Sequence, residues 1–311
     1  MANESEILEF VLIGFPGLPE KFHIVFGILI FLLYNVSLCV NSTVITLVVL
    51  KQHLHQPMYI IIASLAMSDV LFDISTLPKI IAKYWLGAGS MSLYGCFIQM
   101  FIIHTLNSLD SLILLLMAVD RYVAICKPLR YHSIMRNGLV ALLCLMLWLT
   151  AAVIGICLIY ITYQLPYLGS NKVKNFFCSM GTVSVTSRAD PTSTLLKGYY
   201  IGLAFHLGPL SFIIFSYSII ITKICTTARS ESWHKAFYTC VTHWFVIGTY
   251  FIPRMIVYTF DTTQKPQIDV YIFLICIYSF VPHCTSPIIF CLRTEEIKRT
   301  LGTVFKRKNT P

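Results

Sequence analysis

The chain has 311 residues, of which 57% are hydrophobic and only 12% charged, against about 25% charged in soluble domains. A soluble fold of this length could not hide so much apolar surface in one core, so the composition calls for a lipid bilayer as solvent. The formal net charge of +9 is carried on the segments between apolar runs and gives no support to nucleic-acid binding.

Residues 1–23 form a polar tail carrying Glu4, Glu6, Glu9 and Glu20. With no basic n-region ahead of an apolar stretch, this tail is not expected to be a cleavable signal, and the first helix is expected to direct its own insertion. Asn3-Glu4-Ser5 is a glycosylation acceptor. The matches at Asn35 and Asn41 fall inside the first apolar run. Seven runs then follow, each near the ~20 residues a membrane helix needs, and they predict helices over 24–50, 57–84, 92–126, 137–163, 197–228, 233–260 and 268–292. They are continuously apolar, with none of the two-residue alternation of a membrane barrel. The second run contains Asp69, Asp73 and Lys79, the third Asp110 and the sixth Arg254. The longest connection, from about Gln164 to Lys197, precedes the fifth. After the seventh, Ile297, Leu301 and Phe305 recur at three- and four-residue spacing, predicting an amphipathic surface helix over 294–305. The expected class is an all-α membrane protein, a single domain with a seven-transmembrane helix bundle and a short amphipathic C-terminal helix.

With the amino terminus outside, about twice as many of the 23 Lys and Arg fall on cytoplasmic segments as on outer ones, the bias that sets membrane orientation. The basic tail would also attract anionic inner-leaflet lipids. Of the 11 cysteines, only Cys96 and Cys178 then lie at the oxidising face, so one disulfide between them is the economical inference.

Buried ionisable groups are functional candidates by default, because a charge at the bilayer centre costs about 2.5–3.5 kcal/mol on insertion scales. Asp69 and Asp110 fall near the middle of their helices. Arg254 needs a carboxylate, a phosphate or a loop carbonyl, with Asp190, Asp261 and Asp269 as protein alternatives to a ligand. His104, Asn107 and Ser108 share one face of the third helix. Ile247, Tyr250, Phe251, Arg254 and Tyr258 share one face of the sixth. His206 is a further candidate in the fifth.

The run Met117-Ala118-Val119-Asp120-Arg121-Tyr122-Val123-Ala124-Ile125-Cys126 closes the third helix. Leu54-His55-Gln56-Pro57-Met58-Tyr59 opens the second, Ser216-Tyr217 lies in the fifth, and Lys235 to His243 opens the sixth. Jointly these segments resemble the olfactory branch of the rhodopsin-like G-protein-coupled receptors, and Ile98 to His104 is similar to the aquatic-type (class I) subgroup. The resemblance covers essentially the whole chain. It implies an odorant receptor of the plasma membrane, in olfactory neuron cilia, coupled to a stimulatory olfactory-type G protein that raises cAMP. It assigns Asp120, Arg121, Tyr122, Tyr217, Lys235 and His243 to the G-protein switch. Residues just after the loop cysteine, Met180 among them, would cover an odorant pocket formed with His104, Asn107, Ser108, His206, Ile247, Tyr250, Phe251, Arg254 and Tyr258. A small polar or anionic ligand held between Arg254 and His104 is the expectation. Asp69 and Asp110 would face each other and share a proton or bind sodium; no other cofactor or metal is expected.

Three departures stand out. The family's Asn-Pro-x-x-Tyr reads Ser286-Pro287-Ile288-Ile289-Phe290 here. The long loop keeps a single cysteine where relatives usually have three. Tyr250-Phe251 stands where other rhodopsin-like receptors place Trp. Among other functions, a retinal protein is excluded because residues 270–292 contain no lysine for a Schiff base. A transporter or ion channel using Asp69 and Asp110 is the alternative, against which no repeated halves are found. No nucleophile–base spacing supports an enzyme.

Overall fold

In the computed structural model, residues 8–168, 170–227, 232–263 and 268–293 are described. Seven long helices dominate: α1 His23–Leu50, α2 Pro57–Leu86, α3 Leu93–Cys126, α4 Asn137–Tyr163, α5 Thr192–Thr227, α6 Ser232–Thr263 and α7 Ile268–Arg293. All except α6 are both long and apolar enough to cross a membrane; α6 carries Arg254 and a polar first turn, yet completes the ring between α5 and α7. The seven-helix bundle expected from the sequence is present. The 294–305 helix and Asn3 lie outside the described residues.

The termini follow local chemistry. Pro57 occupies the first turn of α2, where its missing N–H is not needed. Gly87 closes that helix with φ 69°, a left-handed conformation glycine adopts without a side-chain clash. The Ser92 side chain accepts from Gly95 N–H at 3.1 Å to cap α3. One boundary differs from expectation: α5 begins at Thr192, ahead of Lys197. The Asp190 carboxylate accepts from the Thr192 amide at 3.0 Å and from its hydroxyl at 2.5 Å, so a cap outweighs the charge at Lys197. Those two bonds hold the Asp190 carboxyl below the usual carboxylate range.

α3 runs through the middle and packs against α2, α4, α5 and α6. Its apolar window is 72% buried, against 17% for α1, so α3 is the helix whose polar groups reach other helices. The outward faces of α1 and α4 expose Leu29, Leu32, Leu145, Leu149 and Val153. Such stripes would be an aggregation liability in water and are the expected solvent-facing surface in lipid.

At the Cys96 end, a three-stranded sheet lies over the bundle. Strand β1 Glu9–Leu12 pairs antiparallel with β2 Ser90–Ser92 and parallel with β3 Lys172–Val173. The alternation of buried Phe10 and Leu12 with exposed Glu9 is the period-two signal of a half-buried strand. The tail read from sequence as a polar lead is therefore partly a lid.

Candidate functional site

Three polar constellations lie along α3. The first is a cavity of about 70 Å³ beneath the sheet, room for about five waters by the measure in which one needs ~10–15 Å³. The disulfide between Cys96 and Cys178, Cα atoms 5.4 Å apart, pins the long loop over it. Gln99 reinforces the pin, accepting from Cys178 N–H at 3.0 Å and donating to the Ser75 carbonyl at 2.7 Å. Of the sequence candidates, His104, Asn107, Ser108, Met180, His206 and Tyr258 line the cavity. Sequence reasoning missed its aromatic wall, Phe177, Tyr199, Tyr271 and Tyr278; apolar residues at helical spacing signal burial without saying which face is hollow. Met180 N–H donates to His104 Nε2 at 3.2 Å. A main-chain amide only donates, so the His104 ring is neutral and carries its proton on Nδ1.

Ile247, Tyr250, Phe251 and Arg254 are not among the lining residues. Ile247 instead borders a void of about 10 Å³ with Met117, His243 and Phe290. Arg254 is 3% exposed and sits behind the cavity wall. Its NH1 donates to the Asn107 carbonyl at 3.0 Å and to His206 Nε2 at 2.9 Å, and its NH2 to Asn107 Oδ1 at 2.7 Å. Its Nε has no partner among the described residues, and the guanidinium lies 5.1 Å from the centre of the Tyr278 ring. Since arginine only donates, His206 Nε2 accepts, and His206 Nδ1–H donates to the Gly202 carbonyl at 2.6 Å. Of the protein partners considered for Arg254, Asp190 is held by Thr192, and the side chains of Asp261 and Asp269 lie outside the described residues.

The second constellation lies one turn further along α3. Asp69 and Asp110 are each 1% exposed, and the structure adds Asp73 and His283 to them. His283 Nδ1 is 2.9 Å from Asp73 Oδ1 and its Nε2 is 3.5 Å from Asp69 Oδ1. Ser37 donates to Asp73 at 2.5 Å, Ser68 to Asp110 at 2.7 Å and Tyr250 to Asp69 at 3.1 Å. Asp69, Asp110 and His283 each present a donor atom within 4.8 Å of the others. His283 was legible only as a lone histidine in an otherwise apolar run.

The third lies at the Asp120-Arg121-Tyr122 end. Asp120 is 3.6 Å from Arg121 Nε and accepts from the Tyr131 hydroxyl at 2.8 Å. Burial and the Asp120 charge push the Tyr131 phenol well above its ordinary value, so it remains a donor. Tyr217 packs 6.4 Å from His243, and His243 6.0 Å from Phe290, ring centre to ring centre. Tyr122 is half-buried against the core; the Lys235 side chain lies outside the described residues.

Residues 30–308 match a family model described as olfactory receptor. Human Olfactory receptor 51L1 is 36% identical over 98% of this chain and 96% of its own length. Human Olfactory receptor 2AT4 is 31% identical over 96% and 93%, and mouse Olfactory receptor 2A7 is 30% identical over 98% and 97%.

Proposed function

This chain belongs to the olfactory receptor family of G-protein-coupled receptors, and from that premise we propose that it is activated by a small odorant bound in the cavity beneath the disulfide-pinned loop. It is a multi-pass plasma-membrane protein with a small-molecule ligand and a G-protein partner. The finer reading puts the amino terminus and the loop outside the cell and the Asp120-Arg121-Tyr122 end inside, in the cilia of olfactory neurons. The single observation that carries it is the cavity itself, walled by α3, α4, α5, α6, α7 and the loop. A ligand touching that many helices binds differently to each of their arrangements, which is what shifts a population between them. Movement of α6 would strain the bonds from Arg254 to Asn107 and His206 and open the space beside Arg121. A stimulatory olfactory-type G protein would dock there and raise cAMP.

The cavity's size, about 70 Å³, favours a small ligand. Its lining favours one with a polar head: His104, Asn107 and Ser108 offer hydrogen bonds beside aromatic rings. Arg254 is already held by neutral acceptors, so its role is read as positioning Asn107 and His206 for a polar ligand. An anionic ligand would have to draw the guanidinium past Tyr278. The Arg254→Leu variant decides between these: a loss of potency confined to small carboxylic acids would restore the anionic reading, whereas equal shifts for neutral and anionic agonists support positioning.

The test is a broad odorant screen in cells co-expressing the olfactory G protein, read as cAMP. An agonist should raise cAMP in the native receptor and not in Arg121→Ala at matched surface expression, with ligand binding retained. Full signalling in Arg121→Ala would reject the switch assignment.

A further inference from the structure

We propose that Asp69, Asp110 and His283 form a binding site for a divalent transition-metal ion of the Zn²⁺ type, clamping α2, α3 and α7 together. The sodium ion that the family resemblance implies at Asp69 fits this donor set poorly. Hard cations take oxygen ligands, whereas the third donor beside these acids is an imidazole nitrogen, and Ser286 stands where an amide would be. Imidazole together with carboxylates suits zinc and its neighbours.

Four observations carry the site. The three donor atoms lie within 4.8 Å of one another and all three residues are buried. A tetrahedral set of Zn²⁺ ligands at ~2.0–2.2 Å closes to about 3.4 Å between ligands, within the reach of small side-chain rotations. Asp69 Oδ2 and Asp110 Oδ2 are buried with no hydrogen-bond partner among the described residues, so each acid keeps an oxygen free for an ion. His283 is already oriented as a ligand: its Nδ1 bonds Asp73 Oδ1 at 2.9 Å, and Asp73 in turn accepts from Ser37. A carboxylate behind the ring fixes the tautomer and turns Nε2 toward the ion, the arrangement behind most metal-bound histidines.

Charge balance points the same way. Asp69, Asp73 and Asp110 place three carboxyl groups in a region that excludes water, and among the described residues no lysine or arginine forms an ion pair with them. An imidazolium alone offsets one negative charge; a divalent ion on a neutral His283 offsets two. Metal binding displaces the Nε2 proton, if present, to solvent, and no electron is transferred. The site is a structural clamp and is independent of which odorant the receptor binds.

The experiment uses the full-length receptor in lipid nanodiscs, stripped with chelator and titrated with ZnCl₂ while thermal unfolding is followed. MgCl₂ and NaCl are the controls. Zn²⁺ should raise the unfolding temperature in a saturable way, with no comparable effect of Mg²⁺ or Na⁺. His283→Gln should abolish the saturable shift. Asp73→Asn keeps all three ligands and should only right-shift the Zn²⁺ titration, by about 10–100-fold, the usual cost of losing a ligand's supporting partner; it serves where His283→Gln fails to fold. An undiminished Zn²⁺ shift in His283→Gln, or a Zn²⁺ titration left unmoved by Asp73→Asn, overturns the proposal, because His283 would then not be the ligand. A shift produced by Na⁺ and not by Zn²⁺ would return the site to sodium. No shift with any ion would mean that the His283 imidazolium closes the cluster alone.

Discussion

Two buried charged clusters sit one turn apart on α3, and they solve opposite problems. Around Arg254 a cation is held by neutral acceptors, the carbonyl and amide of Asn107 and the ring of His206, with no acid bonded to it among the described residues. Around His283 three acids share one imidazole and a fringe of hydroxyl donors. The first has one charge and few partners, so each partner is indispensable. The second has more acids than it needs for connectivity, so single acids are dispensable to the fold. Charge number alone would rank the second as the more fragile; hydrogen-bond satisfaction ranks it as the more tolerant.

The largest expected effect follows from that ranking. Asn107→Leu strips Arg254 NH2 of its amide acceptor and leaves the guanidinium with only the main-chain carbonyl of residue 107 and His206, and an under-compensated buried charge costs up to about 3–5 kcal/mol. Thermal unfolding of the purified receptor should fall steeply, with most of the protein lost from the cell surface. Arg254→Leu removes the cation itself and leaves Asn107 Oδ1 and His206 Nε2 unsatisfied, at about 1–3 kcal/mol each. It should destabilise less than Asn107→Leu. Combining the two should give a receptor more stable than Asn107→Leu alone, since the stranded charge has gone. An additive double variant would break the comparison. In the other cluster, in chelator-stripped receptor, Asp69→Asn keeps an acceptor for Tyr250 and removes one of three like charges, so it should leave unfolding within about 1 kcal/mol of the metal-free native receptor. A loss as large as that from Asn107→Leu would mean that the acids are matched charge for charge.

What was legible in the sequence follows the same division between composition and pairing. The seven spans could be drawn because uncharged runs of the right length have one fate in lipid. Cys96 and Cys178 could be paired because topology left no other cysteine at that face. The depth of Asp69 and Asp110 followed from their place near the middle of their helices, and that they face each other was what the family resemblance implied. Four things were hidden. Strand β1 is four residues long, and its partners lie at Ser90–Ser92 and Lys172–Val173, too short and too distant for a local pattern to declare. The start of α5 was placed at a charge, whereas the Asp190 cap decides it. The partners of Arg254 are a main-chain carbonyl within α3, a side-chain amide and a histidine, and a search for carboxylates and loop carbonyls passes over all three. His283 escaped for a related reason: it is uncharged in formal counting and becomes informative only once α7 brings it against α2.

Beneath both clusters stands the claim that the ligand occupies the cavity at the disulfide end. At about 70 Å³ it has little room to spare. Ser108, buried on its α3 wall, can be enlarged to leucine without removing any of the hydrogen bonds that hold either charged cluster. Dose–response curves for every agonist found, measured for Ser108→Leu and the native receptor at matched surface expression, test the claim most directly. Potency should fall by about tenfold or more, the equivalent of ~1.4 kcal/mol of binding, for each agonist alike. Unchanged potency across the agonist set would place the odorant elsewhere and contradict the account.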